Sequence, residues 1–329
     1  MLKIPTYAYQ LPLRHMRAIH WVFLGLGLGT LLPLSAQDVG HLIEEGDSLL
    51  EAERYQKALD RFDQAVALQP SAYTYAARAR AWYAMDRVDR FLLDVEQALK
   101  ADSTHPEANY QRAMYALRGE DYRGAERYSD RGLRHGATGT LNAKLLLVRG
   151  EANAELHRNE QAISDLRAGL ERIPDDLDAN RALARTLDAH GDHEGSLKVV
   201  EHLCDLEPDN VGHWTNRGYE LVRLERWEAS LAMFDKALEL DRDEPVALSN
   251  RGFALMKLDR NEEALRDVEK SLRFYPANSF ALRTRALLRL RKGELEKGCA
   301  DLSLARILGG VEDVDALIKE HCGSVPNKR

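Results

Sequence analysis

The chain of 329 residues reads as all-α: a solenoid of about eight helix-turn-helix repeats closed by a C-terminal capping helix. Three observations carry that reading. Val211–Glu244 (VGHWTNRGYELVRLERWEASLAMFDKALELDRDE) is followed at once by Pro245–Asn278 (PVALSNRGFALMKLDRNEEALRDVEKSLRFYPAN), which repeats Asn-Arg-Gly, the aromatic after it, Arg-x-Glu and a second apolar run. A period of about 34 residues marks an array of two-helix units. Within the unit, Trp214, Arg217, Gly218, Leu221 and Leu224 recur at helical spacing, and so do Ser230, Leu231, Phe234, Ala237 and Leu238. Each half is therefore a helix with one face to bury. The same register continues along the chain, with repeats starting near Val39, Ala72, Pro106, Ala143, Leu177, Val211, Pro245 and Ser279. One hairpin cannot bury both its faces, so stacking on the next copy supplies the missing core.

Ahead of the repeats, Met16 and Arg17 precede a mostly apolar run from Ala18 to Leu34 and then Ser35-Ala36. A basic head, an apolar middle and a small-residue end describe a secretory signal peptide over residues 1–36, started at Met1 or at Met16 and cleaved after Ala36. An uncleaved membrane anchor is the competing reading, although the run is glycine-rich and short for a span. The repeats fill 39–311 with almost no linker. The first carries Gly46, Ala58, Phe62, Ala65 and Pro70, and the second Ala79, Val95 and Ala98. Phe91 stands where the other repeats have a small residue, which predicts looser or shifted helices there. The third (Ala113, Ala125, Gly132) runs through His135–Gly139 with about three extra residues, which predicts a bend. The fourth has Gly150, Ala162, Leu166 and Gly169, the fifth Ala184, Ser196, Val200 and Leu203, and the eighth Ala286, Gly298, Leu302 and Ala305 before Gly309-Gly310. Residues 312–322, with Val314, Leu317 and Ile318 on one side, form the cap that a solenoid end requires. Residues 323–329 read as a disordered tail.

Small, apolar and turn residues at these places resemble the tetratricopeptide repeat (TPR) family. Trp214, Gly218, Leu221, Ser230, Phe234 and Ala237 stand on its pattern, while Arg217 takes a place usually given to leucine and Arg242 replaces the usual closing proline. The resemblance covers nearly all of 39–311 and implies an α/α superhelix whose first helices line a concave groove. Carried onto this sequence, the groove positions include Asn216, Tyr219, Asn250, Phe253, Phe280, Arg283, Arg181 and Arg185, with Tyr73, Arg80, Tyr110, Met114, Lys144 and Met256 on the same helices. Aromatic residues, Met and Arg are what a peptide-gripping surface uses. Asn216 and Asn250 hold equivalent places in successive repeats, where their amides either bond an extended peptide backbone or satisfy neighbouring helix ends. The carboxylate-clamp pattern of chaperone-binding TPR domains is not reproduced.

Two polar signals run through the array. Arg78, Arg149, Arg251 and Arg285 each lie sixteen residues before Asp94, Asp165, Asp267 and Asp301, and Glu45 and Arg61 reverse the charges. This spacing predicts an ion pair across each hairpin that fixes helix register. Arg112 and Arg217 have no acid at that distance. Cys299 and Cys322 fall on consecutive helices joined by a Gly-Gly turn, so an antiparallel arrangement brings the thiols to one end and predicts a disulfide, two unpaired buried thiols being the alternative. GELEKGCADL, LGG and HCG also resemble the terminal repeat of exported bacterial TPR proteins.

Enzymatic signatures are missing from the sequence: no phosphate-cradling glycine loop, no Cys-x-x-Cys and no His-Glu-x-x-His. His190, His193, His202 and Cys204 are close in sequence, but the ends of their hairpin are far apart. The histidines read as surface groups, Cys204 as a small core residue, and no metal or other cofactor is expected. A formal charge of -7, about -10 without the leader, makes the chain a poor general binder of nucleic acid, local basic patches aside. The sequence thus predicts a non-enzymatic scaffold or adaptor, exported from a bacterial cell to the periplasm, cell envelope or exterior, that binds a protein or peptide segment in its groove. A membrane-tethered periplasmic assembly factor, or an enzyme with an active site in the groove, are the alternatives.

Overall fold

Seventeen helices and no strand make up residues 36–323, the part that a computed structural model describes. They pair as α1 (Ala36–Glu51) with α2 (Tyr55–Leu68), α3 (Ala72–Ala84) with α4 (Val88–Ala101), α5 (Pro106–Arg118) with α6 (Tyr122–Arg134), and α7 (Gly139–Glu155) with α8 (Asn159–Leu170). Then come α9 (Leu177–His190) with α10 (His193–Leu206), α11 (Val211–Arg223) with α12 (Trp227–Leu240), α13 (Pro245–Lys257) with α14 (Asn261–Phe274), and α15 (Ser279–Arg291) with α16 (Leu295–Leu308). The short α17 (Val314–His321) closes the stack. Residues 1–35 of the leader and residues 324–329 of the tail lie outside the described residues. Among the described helices, none is long and apolar enough to cross a membrane.

A sixteen-residue rule joins the two helices of a hairpin. Gly46, Gly150, Gly218 and Gly252 face Phe62, Leu166, Phe234 and Val268, and a Cβ built on any of these glycines would come within 2.7 Å of the facing side chain. Ala79–Val95, Ala184–Val200 and Ala286–Leu302 follow the same spacing. The small residue lets the first helix approach closely enough for the large one to be sealed. Phe91, which departs from the pattern, is buried, with its ring centroid 5.4 Å from that of Tyr83 and 6.4 Å from that of Tyr115.

The turn inside each hairpin contains one left-handed residue: Glu53, Asp86, Glu120, His157, Glu225 and Asp259 at φ of 56–60°, and Gly191 and Gly293 at 87° and 81°. Six of these eight are not glycine, so the turn is imposed by the helices on either side rather than by local preference. Two repeat starts differ from the sequence register. The first helix begins at Ala36, ahead of Val39, and the fourth repeat begins at Gly139 rather than Ala143. The extra residues after Gly136 are taken up as an additional helical turn, so α7 has 17 residues where α5, α11, α13 and α15 have 13.

The predicted ion pairs are present and reach further than one hairpin. Arg78, Arg149 and Arg251 hold Asp94, Asp165 and Asp267 with two bonds each, at 2.6–2.9 Å. Arg285 does the same with Asp301. Glu45 and Arg61 form the reversed pair at 2.9 Å. The spare nitrogen of Arg78, Arg149 and Arg251 then bonds back to the preceding hairpin, on Asp63, Asp130 and Asp235. Arg217, with Met233 where the acid would be, makes only the backward bond, to Glu201 at 2.9 Å. Arg112 places its guanidinium over Tyr115 and over Tyr128, the residue in the acid's place. In the fifth repeat the pair is apolar, Leu183 with Val199. One geometric slot therefore accepts an ion pair, a cation–π contact or two aliphatic chains.

At the C-terminal end, Val314 and Leu317 of α17 cover the last core cluster with Leu302 and Ala305. Cys299 in α16 and Cys322 after α17 are disulfide-bonded, their Cα atoms 5.7 Å apart. Cys204 is a buried free thiol, and burial pushes it up to about 11.

Candidate functional site

The first helices of successive hairpins bring a row of hollows onto one continuous wall. A hollow of about 500 Å³ is lined by Tyr219, Asn250, Phe253, Phe280, Arg283 and the chain between Gly310 and Asp313. Tyr219 also borders the next, about 640 Å³, with Arg181, Arg185, Asn216 and Glu220. Arg185, Glu151 and Asp178 continue into a third, about 430 Å³, with Tyr110, Met114 and Lys144. Eight of the groove residues named from the sequence thus lie in two adjoining hollows and three more in the third, whereas Met256 is buried in the core.

Their chemistry divides. Phe280 is 56% exposed, and Phe253 is half-buried beneath Arg283 and Lys257, whose cationic centres lie 5.5 Å from its ring. The side-chain amides of Asn216 and Asn250 bond to no other group of the described chain, so neither serves a helix end. Their ladder has two rungs only, since Ala182 and Thr284 occupy the equivalent places in the neighbouring repeats. The three arginines are spoken for. Arg181 bonds Glu207 at 2.6 Å and Asp178 at 3.2 Å, Arg185 bonds Glu155 at 3.2 Å, and Arg283 is held by Asp313 from the segment leading into α17. Arg283 keeps the Asp313 carboxyl below its ordinary range.

An acidic stretch in the middle of the groove is absent from the residues named by sequence. Glu151 occupies the repeat position held elsewhere by Arg80, Met114, Arg185, Tyr219 and Phe253, and it makes no hydrogen bond. Burial, then Asp176 and Asp178, push its carboxyl up to about 7. The register carried the signal, but charge alone could not single it out among 53 acidic residues. Because the folded value is raised, the folded chain holds a proton that the unfolded chain has lost between about pH 4.5 and 7, so stability falls as pH rises through that window. Glu151→Gln is expected to stabilise the chain above pH 7 by on the order of 1–3 kcal/mol and to change little below pH 4.5, as checked by urea unfolding at several pH values.

The histidine region also differs from the sequence reading. His190 is exposed and His202 lies beside Pro174 and Asp175, but His193 is largely enclosed between Asp188 and Glu220. A reading of near neighbours in sequence had no means of supplying those two acids, which come from other helices.

A profile described as tetratricopeptide repeat matches residues 43–106, 147–211 and 215–279. Among solved structures, YrrB, a TPR protein with an unusual peptide-binding site, superposes with a TM-score of 0.50 at 23% identity, over 57% of this chain and 95% of that one. PilF of Pseudomonas aeruginosa superposes at 0.54 with 12% identity, over 64% and 95%. At such identities the likeness is one of fold. No curated protein matches the chain. The matched stretches together span more than half of the sequence and fall on stacked two-helix units, and on that ground the chain belongs to the tetratricopeptide repeat family.

Proposed function

We propose that this protein is a non-enzymatic scaffold that binds an extended polypeptide segment in its groove, most strongly at the hollow between α11, α13, α15 and the cap. Its repeats are a protein-interaction architecture, and the observation that carries the finer reading is local. Exposed Phe280 and half-buried Phe253 stand beside the unengaged amide of Asn250 in one hollow. An aromatic anchor next to a group that can both donate to and accept from a peptide backbone is the pairing such recognition needs. The groove arginines are neutralised by their own acids, which favours a ligand with apolar side chains over an acidic one. Peptides selected from a random library on the wild type are expected to bind Asn250→Ala plus Phe280→Ala at least 30-fold more weakly, the equivalent of about 2 kcal/mol. Equal affinity for both proteins would remove this site.

Export is part of the same proposal. The basic-apolar-small leader argues for it, and so does the Cys299–Cys322 disulfide, since such bonds persist in oxidising compartments. Cleavage after Ala36 predicts a mature chain that starts at Gln37. A mass spectrum of the native protein that retains residues 16–36 would point instead to a tethered form.

A further inference from the structure

Asp188 near the end of α9, His193 at the start of α10 and Glu220 of α11 converge from three helices and two repeats. His193 Nδ1 lies 3.2 Å from Asp188 Oδ1 and 3.1 Å from Glu220 Oε2, and one ligand atom from each residue lies within 4.8 Å of the others. The side chains of His193 and Glu220 are enclosed, only 14% and 5% exposed, while that of Asp188 is 33% exposed on the side of the groove. A single imidazole nitrogen carries at most one proton and serves one acceptor well. Here the bond goes to Glu220, and Asp188 Oδ1, sealed from solvent, has no hydrogen-bond partner. Two carboxylates therefore crowd one nitrogen. Protein-only bonding thus leaves a buried oxygen unsatisfied and excess negative charge in place.

A cation at the centre resolves both problems. Metal bonds of about 2.0–2.1 Å arranged tetrahedrally put ligand atoms about 3.3 Å apart, close to the two nitrogen–oxygen separations found here. Ser196 Oγ, 2.7 Å from Glu220 Oε1, supplies the outer contact that fixes a ligating carboxylate. We propose that Asp188, His193 and Glu220 form a binding site for a divalent first-row transition ion, with Zn²⁺ as the best fit to one imidazole and two carboxylates. Asp188 and Glu220 also border the 640 Å³ hollow that contains Asn216, so the remaining coordination position belongs to the groove. This site is independent of peptide binding at Phe280.

The test is equilibrium dialysis of the full chain against Zn²⁺, with bound metal counted by mass spectrometry, alongside His193→Ala, Glu220→Gln and, as a control, His202→Ala. One Zn²⁺ per wild-type chain is expected, with affinity at least 100-fold lower in His193→Ala and unchanged in His202→Ala. Ser196→Ala is expected to bind roughly 10-fold more weakly. Should a variant fail to fold, the wild type alone decides through Co²⁺, whose visible bands report a low-coordinate nitrogen-and-oxygen site. Absence of stoichiometric zinc, zinc retained equally by His193→Ala, equal affinity for Mg²⁺, or Co²⁺ spectra of the free aquo ion would each overturn the proposal.

Discussion

Phe234→Ala is expected to cost about 3–5 kcal/mol of unfolding stability, the range for truncating a buried phenylalanine. The ring is fully buried and faces Gly218, whose missing side chain creates its slot. It also joins Ala237, Leu238, Ala247 and Leu248 into the cluster between the sixth and seventh repeats. Truncation therefore weakens a hairpin and the seam to its neighbour together, and helices cannot slide to refill the space while Arg251, held by Asp267 within its own hairpin, bonds Asp235 across that seam. Urea unfolding followed by circular dichroism gives the number. A loss below 1 kcal/mol would mean that the repeats stack without this ring. The converse change, Gly218→Val, drives a branched side chain into the same ring and is expected to destabilise by about 1–3 kcal/mol or more.

The second large effect belongs to Asp94. Its carboxylate is 3% exposed and accepts two bonds from Arg78 and one from the Trp82 indole. Removing one partner of a buried pair costs about 3–5 kcal/mol because the other charge stays behind. Arg78 is 21% exposed and keeps Asp63, so Asp94→Ala is expected to cost about 2–3 kcal/mol, below that range. Asp63, itself 51% exposed, is expected to cost under 1 kcal/mol when changed to Ala. The double change Arg78→Leu plus Asp94→Val copies the Leu183–Val199 pairing of the fifth repeat and is expected to recover most of the loss. A double variant as unstable as Asp94→Ala alone would show that the charges do more than hold register.

The hairpins, the sixteen-residue ion pairs and the groove face were legible because each depends on spacing along one or two adjacent helices. What escaped the sequence depends on contacts between repeats. Arg217 looked unpaired because its acid, Glu201, lies sixteen residues behind rather than ahead. The extra residues after His135 were legible as an insertion but not as helix: α7 starts at Gly139 and takes them up as an added turn. The ion-pair partners of the groove arginines also escaped, since Glu207, Glu155 and Asp313 reach them from beyond their own helices. His193 was grouped with the wrong partners for the same reason.

The covalent link between Cys299 and Cys322 also has a bearing on handling. It tethers α17, and the strand of chain just before α17 contributes Val311, Glu312 and Asp313 to the rim around Phe280. Thiol reductants, routine in purification, would unlatch that rim while leaving the seven upstream hairpins intact. Ligand screens run with and without reductant would then be probing two differently shaped mouths of one protein.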